Sequence, residues 1–286
     1  MSDRNKWVQK ILELQHEDGS WGFFHSLSQP TKEQPMTTEQ ALRRLQILGL
    51  TAADEPIRRA LNYIEGCLNG QNSIPDRAEK QPDWGLFVEI ILSTWLKIFI
   101  PEHEQALSMA ERWAEVITET FAAGSYDQST YEQAYRDILR PQGKKVHYFK
   151  RFINYYPLML LQGMLKPEIE GRMLEHVLNW PEGIYYISSS PLNKPPAVFA
   201  SRETSRYIAM LEILSGYSTA PDKLDFAVRW LKSNRDENGQ WDLGPQANDG
   251  LYFPLSDSWR RAASRRADCT ARIEKLLKSL GQELTD

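Results

Sequence analysis

Four arginines near the C-terminal end of the chain are the side chains best suited to hold an anion. They are Arg260, Arg261, Arg265 and Arg266. Guanidinium groups bind phosphate and carboxylate oxygens in pairs, so this cluster, next to Trp259, could clamp a diphosphate or an acidic partner. The alternative is a solvated loop and helix start balanced by Asp257 and Asp268, because charge runs usually face water.

Two further arginines occupy matching positions in two segments that begin with threonine. Arg206 follows Thr204 by two residues, and Arg272 follows Thr270 by two residues. Charges buried in a cavity need partners or a function, so both could project toward one cavity together with Glu203 and Asp268. An ion pair between Asp268 and Arg272, four residues apart on a helix, would explain half of this pattern without a ligand.

The chain is rich in aromatic residues, with 9 Trp, 12 Tyr and 10 Phe. Ring faces attract both cations and apolar chains, so a set of them could form a cage for an isoprenoid chain or a cation. The candidate cage residues are Trp84, Tyr148, Tyr155, Tyr156, Tyr207, Tyr252 and Trp259. Core packing at helical spacing is the alternative, because rings commonly fill protein interiors.

His147 lies in an apolar context that resembles a buried helix. It could act as a general base beside a carboxylate, or it could satisfy a structural hydrogen bond.

Composition limits the classes of partner and the compartment. The net charge of -4 argues against nucleic acid as a partner. The two cysteines lie far apart, and the first residues lack the apolar core of a signal peptide, so we expect a cytoplasmic protein. The longest apolar stretch, 86–100, contains Glu89 and Lys97, which favours a buried helix over an integral membrane segment.

Three stretches of the sequence share one pattern. The helices that this pattern predicts would hold the candidate residues in place. Each stretch has a Gly-x-aromatic turn, then a gap, then a segment that opens with threonine. The pairs are Gly19-Ser20-Trp21 with Thr38, Gly183-Ile184-Tyr185 with Thr204, and Gly239-Gln240-Trp241 with Thr270. Apolar residues recur at the same offsets after each threonine, which predicts a repeated amphipathic helix.

The same patterning predicts helices along most of the chain and almost no strand. The predicted helices are 6–15, 38–49, 54–68, 83–99, 104–121, 129–139, 167–179, 203–214, 222–234 and one from about 268. The ring-dense segment 147–164 contains Pro157, which would kink or end a helix there. Thr38 is the predicted cap of the second helix, with Thr37 as the alternative.

Alternating amphipathic and more apolar helices favour two concentric layers, an outer and an inner one. We therefore predict one all-α domain over residues 1–286, an α/α toroid of about five to six helical hairpins. At each corner the glycine would reverse the backbone, and the ring would stack on the end of the preceding helix.

The segment from Leu14 to Gly22 and its echo from Trp230 to Trp241 resemble the Gln-Trp repeats of the terpenoid cyclase and protein prenyltransferase superfamily. The Thr-headed helices are similar to the inner helices of that superfamily. The resemblance covers most of the chain and implies an α/α toroid with a central cavity lined by inner helices. It is specific for the architecture and not for an activity.

The functional motifs of that superfamily are missing from the sequence. It has no Asp-x-Asp-Asp acid motif and no Asp-Asp-x-x-Asp motif for metal and diphosphate. Asp268-Cys269 resembles the first two zinc ligands of protein prenyltransferases, but no histidine follows it, and the Cys-His pair of lanthipeptide cyclases is also missing. We therefore expect no metal and no cofactor, and whether the protein is an enzyme stays open.

The leading hypothesis is a protein that binds a small hydrophobic or isoprenoid-like ligand in its central cavity. A second hypothesis is a non-catalytic module that holds a protein or peptide partner. A third is a carbohydrate-active hydrolase or lyase built on an α/α barrel, which would need two carboxylates facing each other across the cavity. The acids considered for that role are Asp83, Asp127, Glu203 and Asp249.

Overall fold

The structure, a computed structural model, describes residues 2–25, 28, 31–77, 84–140, 152–249, 255–256 and 259–283. The chain divides into two compact units. The first comprises residues 1–107 and 250–255, and the second comprises residues 108–249 and 256–286. The single domain predicted over residues 1–286 stays a prediction.

Helices dominate both units. The first unit contains α1 (Ser2–Leu12), α2 (Thr38–Ile47), α3 (Glu55–Leu68) and α4 (Trp84–Phe99), and α5 (Glu104–Phe121) begins at its end. The second contains α6 (Gln128–Ala134), α7 (Tyr155–Leu161), α8 (Pro167–Asn179), α9 (Arg202–Leu214), α10 (Ala220–Lys223), α11 (Asp225–Ser233) and α12 (Ala262–Ser279). Across the described ranges there is no strand, only an isolated bridge between Asn154 and Tyr185. The all-helical prediction is confirmed.

Helices pack in pairs within each unit. In the first unit α1 contacts α2 and α3 contacts α4, and in the second α9 contacts both α7 and α12 while α8 contacts α10. Burial differs between helices. Nine residues of α4 and nine of α9 are buried, whereas α11 buries only Ala227, Val228 and Leu231. This difference agrees with the predicted contrast between apolar and amphipathic helices.

The start of α2 follows the alternative prediction. Thr37 is the N-cap, and its side-chain oxygen accepts a hydrogen bond from the Gln40 N–H at 3.3 Å. The Thr37 N–H donates in return to Gln40 Oε1 at 3.2 Å, which completes a capping box. Thr38 is therefore the first helical residue and its side chain is left for another contact.

The other two threonines do not open their helices, which corrects the sequence prediction. Ser201 caps α9 and accepts from the Thr204 N–H at 3.2 Å, and Thr270 lies well inside α12, which begins at Ala262. The helix extends further toward the N-terminus than predicted because alanine and arginine, which dominate 261–267, are strong helix formers.

Pro157 does not break a helix. Asn154 caps α7, and its side-chain oxygen accepts from the Tyr156 N–H at 3.1 Å. Pro157 then falls in the first turn, where the missing N–H has no helical partner to lose. The predicted kink within 147–164 is wrong for this part, and residues 147–151 lie outside the described ranges.

The first and last Gly-x-Trp corners have the same local structure. The indole N–H of Trp21 donates to the Ile11 carbonyl at 2.8 Å, and the backbone N–H of Trp21 donates to Thr38 Oγ1 at 3.0 Å. The indole N–H of Trp241 donates to the Leu231 carbonyl at 2.7 Å, and its backbone N–H donates to Thr270 Oγ1 at 3.1 Å. Each tryptophan thus ties the end of one helix to a threonine of a later one.

The middle corner is built differently, and the expectation that its ring stacks on the preceding helix is wrong. Ile184 is fully buried, whereas Tyr185 is 54% exposed. The Tyr185 N–H donates to the Ile153 carbonyl at 3.2 Å, so its backbone is held by the segment before α7. At this corner the buried side chain is therefore that of Ile184, the residue directly after the glycine.

No single helix among the described residues has the length and apolar character needed to cross a membrane. The consecutive helices α4 and α5 meet that test only together, across a sharp bend.

Candidate functional site

Arg265 is buried and belongs to a structural network rather than to an open anion clamp. Its guanidinium forms a two-point pair with Asp242, with Nη2 and Oδ2 2.9 Å apart, and its Nη1 donates to the Trp259 carbonyl at 2.8 Å. Burial opposes the charge on Asp242, but the hydrogen bonds from Arg265 and the Gly244 N–H hold the pKa of this carboxyl below its ordinary value. The pair therefore anchors α12 to the Trp241 corner.

The remaining members of the arginine cluster separate into two kinds. Arg266 lies 3.5 Å from an oxygen of Asp242 and 3.6 Å from one of Asp236. Arg260 and Arg261 are exposed before the start of α12. The four arginines thus do not converge on one anion position, because Arg265 and Arg266 face Asp242 whereas Arg260 and Arg261 are exposed.

Arg272 and Arg206 share a position in the predicted pattern but not an environment. Arg272 is buried, and its Nε and Nη2 bind the two carboxylate oxygens of Glu212 at 2.7 and 2.8 Å. Its Nη1 also donates to Ser205 Oγ at 3.0 Å, and Ser205 donates to Asp249 at 2.7 Å. Arg206 is exposed. Arg272 therefore joins α12 to α9.

The two acids expected beside these arginines hold local structure. Asp268 accepts from the indole N–H of Trp259 and from the Ser256 hydroxyl, both at 2.7 Å, and so fixes the segment before α12. Glu203 is exposed and accepts from the Ser190 hydroxyl at 3.3 Å.

The acids considered for carbohydrate chemistry are likewise engaged. Asp127 caps α6, and hydrogen bonds from Thr130 and Ser129 lower the pKa of its exposed carboxyl to about 2. Asp249 accepts from Ser205, as described above. Asp83 lies outside the described residues.

The described rings of the predicted cage contact other side chains. Trp84 belongs to the first unit and lies 5.6 Å from Phe87. In the second unit Tyr155 and Tyr156 contact each other edge to face at 5.1 Å, whereas Tyr207 contacts Trp230 at 5.3 Å and donates its hydroxyl to the Leu192 carbonyl at 2.9 Å. Trp259 donates its indole N–H to Asp268, as described above. His147, Tyr148 and Tyr252 lie outside the described residues.

A different set of rings converges in the second unit, and we call it the aromatic nest. It comprises Phe121, Tyr126, Tyr131, Phe152, His176 and Trp180. Tyr126 and His176 stack face to face, with ring centroids 4.2 Å apart and planes 16° apart. Phe121 and Phe152 contact His176 at 5.9 and 6.1 Å, and Trp180 lies 5.7 Å from it. Segments far apart in sequence thus form one apolar surface.

The aromatic nest carries no charge at neutral pH. Burial lowers the pKa of His176, so its imidazole stays neutral there, and burial raises the pKa of Tyr131 far above its ordinary value. Phe121, Tyr131 and Phe152 are buried beneath, whereas Tyr126, His176 and Trp180 are half-buried. The half-buried rings give the nest a surface that an apolar molecule can contact.

The aromatic nest is not predicted from the sequence. Local apolar context favours His147 as the functional histidine. His176 has a mixed neighbourhood in sequence, and its ring partner Tyr126 stands 50 residues earlier, so spacing gives no sign of the stack. The one signal in the sequence that draws attention to Tyr126 is the turn Gly124-Ser125-Tyr126, which is a weaker copy of the Gly-x-aromatic turn.

Among the described residues no group of three or more His, Cys, Asp or Glu side chains is arranged to hold a metal ion. Comparison of the chain with protein-family models, with curated proteins and with solved structures found no match.

Proposed function

We propose that this protein binds a hydrophobic, isoprenoid-like molecule and that the aromatic nest is part of the contact surface. The observation that carries the proposal is the nest itself, where four side chains surround a neutral imidazole. Ring faces and edges without a charge favour an apolar ligand, because no ion has to be desolvated when the ligand covers them.

We further propose that the paired helices close into an α/α toroid of the terpenoid cyclase type. Two observations support this architecture. The Trp21 and Trp241 corners make the same pair of hydrogen bonds, from indole to helix end and from backbone to threonine. The helices also divide into those buried on several faces, such as α9, and those buried on one, such as α11.

The proposal is a binding function because the candidate charged groups already serve the fold. Arg265 and Arg272 are paired with Asp242 and Glu212, and Asp127 caps a helix. A side chain held in this way would have to give up a structural contact before it could act on a ligand.

Displacement of a fluorescent farnesyl analogue tests the proposal. Geranylgeraniol should displace the analogue from the wild-type protein at lower concentration than hexadecanol, an unbranched alcohol of similar polarity. Trp180→Ala and Tyr126→Ala should each weaken binding about tenfold, because each removes a half-buried ring from the contact surface.

Trp7→Ala is the matched control, since Trp7 is a half-buried ring on α1 outside the nest. Its affinity for the analogue should equal that of the wild type, and circular dichroism should show all variants folded. Failure of the wild type to bind the analogue, or equal weakening by Trp7→Ala and Trp180→Ala, would rule the proposal out.

A further inference from the structure

His176 is the member of the aromatic nest whose charge can change near neutral pH, because histidine titrates between about pH 5 and pH 8. It lies in the last turn of α8, and Tyr126 covers one face of its imidazole with the ring planes 16° apart. Trp180, four residues later, lies 5.7 Å from it. The imidazole is half-buried, so water still reaches part of it.

The imidazole has ring contacts and no polar partner within the described ranges. None of the described residues forms a hydrogen bond or an ion pair with it, and its contacts are those with the surrounding rings. A carboxylate beside a histidine would favour the charged form, and that stabilisation is missing from this part of the chain. Water and the ring faces are therefore what stabilises a proton on His176.

The charged groups nearest to His176 on α8 do not favour its protonation. Arg172 lies one turn earlier on the same side of the helix, and its Nη1 donates to the Phe121 carbonyl at 3.1 Å. Glu175, the preceding residue, is exposed. The described part of the segment before α7 that reaches the nest, 152–154, carries no charge. A proton on His176 would thus add a second positive charge beside Arg172.

The titratable groups on α5 and α6 are engaged elsewhere or stay neutral. Asp127 caps α6, Glu132 accepts from the Gln128 side chain at 2.8 Å, and Glu119 is exposed near the end of α5. Burial raises the pKa of Tyr131 far above its ordinary value. The charge of the nest is therefore decided by His176.

An apolar ligand that covers the nest removes water from the imidazole. A neutral imidazole gives up little when this happens, whereas an imidazolium would lose the hydration of a full charge. The ligand must then bind the neutral form more tightly than the charged one. By linkage, the bound ligand makes His176 harder to protonate to the same extent.

We infer that His176 regulates the binding of the apolar ligand by pH. The aromatic nest takes up the molecule while the imidazole is neutral and releases it once the imidazole is protonated. This inference rests on the ligand surface proposed above and adds a means of release to it.

Competition with the fluorescent farnesyl analogue at about pH 7.5 and about pH 5 tests this regulation. The affinity of the wild type should be about threefold to tenfold lower at the acidic pH, because binding that releases one proton changes affinity by at most about tenfold per pH unit. The variant His176→Phe keeps a ring that cannot be protonated, so its affinity should be the same at both pH values. Circular dichroism should show both proteins folded throughout.

His16→Phe is the matched control, since it makes the same change at an exposed histidine of the first unit. It should keep the pH dependence of the wild type. An NMR titration of the wild-type histidines gives a second measurement that needs no variant, and the bound ligand should lower the pKa of His176 further.

The inference is overturned if the wild type binds the analogue equally well at both pH values, if His176→Phe keeps the wild-type dependence, or if the ligand leaves the pKa of His176 unchanged. Each of these results leaves the binding function in place. Failure of the wild type to bind at about pH 7.5 would instead remove the proposed function, and the regulation with it.

Discussion

At the scale of single residues, the indole N–H groups of Trp21 and Trp241 define the two matching corners. Both rings are almost completely buried, and each N–H reaches a backbone carbonyl at the end of the preceding helix. A phenyl ring in the same place keeps most of the packing but has no donor. The hydrogen bond and part of the ring volume are then lost together.

We therefore expect Trp21→Phe and Trp241→Phe each to lower the free energy of unfolding by about 1–3 kcal/mol. Urea denaturation followed by circular dichroism measures this. Trp7→Phe, the same change at a half-buried ring, should cost less than about 0.5 kcal/mol. Equal costs at Trp7 and Trp21 would show that the indole hydrogen bond is unimportant to the corner.

Gly19 is required for two reasons that can be separated. Its φ is 93°, and an added Cβ would lie 2.4 Å from the Arg59 carbonyl oxygen. Gly70 also has a left-handed φ of 72°, but nothing lies within 4 Å of the position of its Cβ. The pair distinguishes the cost of the backbone conformation from that of the collision.

Gly70→Ala should destabilise the protein by about 1 kcal/mol, from the left-handed backbone alone. Gly19→Ala should cost at least about twice as much, because the Arg59 backbone must also move. Thermal unfolding of the two variants compares them directly. Equal melting temperatures for the two would contradict the close approach between Gly19 and Arg59.

His176 makes stability depend on pH. Burial in the aromatic nest lowers its pKa below the ordinary value of about 6.5, so the unfolded chain binds a proton at higher pH than the folded one. Stability contributed by the neutral ring is complete above the unfolded pKa. It is lost as the pH falls from there toward the folded pKa.

The variant His176→Phe keeps a ring in the stack and removes the titration. Between about pH 7.5 and pH 5.5, the free energy of unfolding of the wild type should fall more than that of this variant. The other histidines are the same in both proteins, so the difference isolates His176. Parallel pH profiles would show that the imidazole is not desolvated in the nest.

At the scale of helices, Arg272 determines how α12 packs on α9. It lies near the middle of α12, where it faces Glu212 and Ser205, whereas Arg206 lies near the start of α9 and is exposed. Matching offsets in sequence thus led to different environments, because α9 covers the side of α12 that carries Arg272 and an offset does not reveal which helix covers a side chain.

Arg272→Leu should lower the free energy of unfolding by about 2–4 kcal/mol, since it leaves the part-buried Glu212 carboxylate without its two-point partner. Arg206→Leu is the same change at the matching exposed position and should stay within about 0.5 kcal/mol of the wild type. Denaturant titration of both variants checks this. A small cost at Arg272 would mean that the ion pair does not hold α12 to α9.

The elements were predictable where local signals were strong. The bounds of α5 and α8 match the sequence prediction, because a proline or an acidic first turn marks each start and a continuous apolar stripe marks each length. The start of α12 was misjudged because the serine, arginines and aspartate of 264–268 were interpreted as a charged loop and helix start rather than as part of one long helix. The contacts of Arg265 and Arg272 depend on tertiary packing, which spacing along the chain does not reveal.

At the scale of the whole molecule, the all-helical class followed from periodicity, but the aromatic nest did not. Tyr126 meets His176 across 50 residues, and Tyr207 of the predicted cage contacts Trp230, which was not predicted to belong to it. Hydrophobic periodicity identifies which side of a helix is buried and leaves open which helix covers it. The stack of Tyr126 on His176 could therefore be found only from the packed structure.

The central claim is that this protein binds a hydrophobic molecule, and native mass spectrometry of the purified protein after incubation with a cell lipid extract tests it most directly. We predict that the wild type retains one neutral apolar molecule per chain and that Trp180→Ala retains less of it. A wild-type spectrum with no bound mass, or one that matches Trp180→Ala, would contradict the claim.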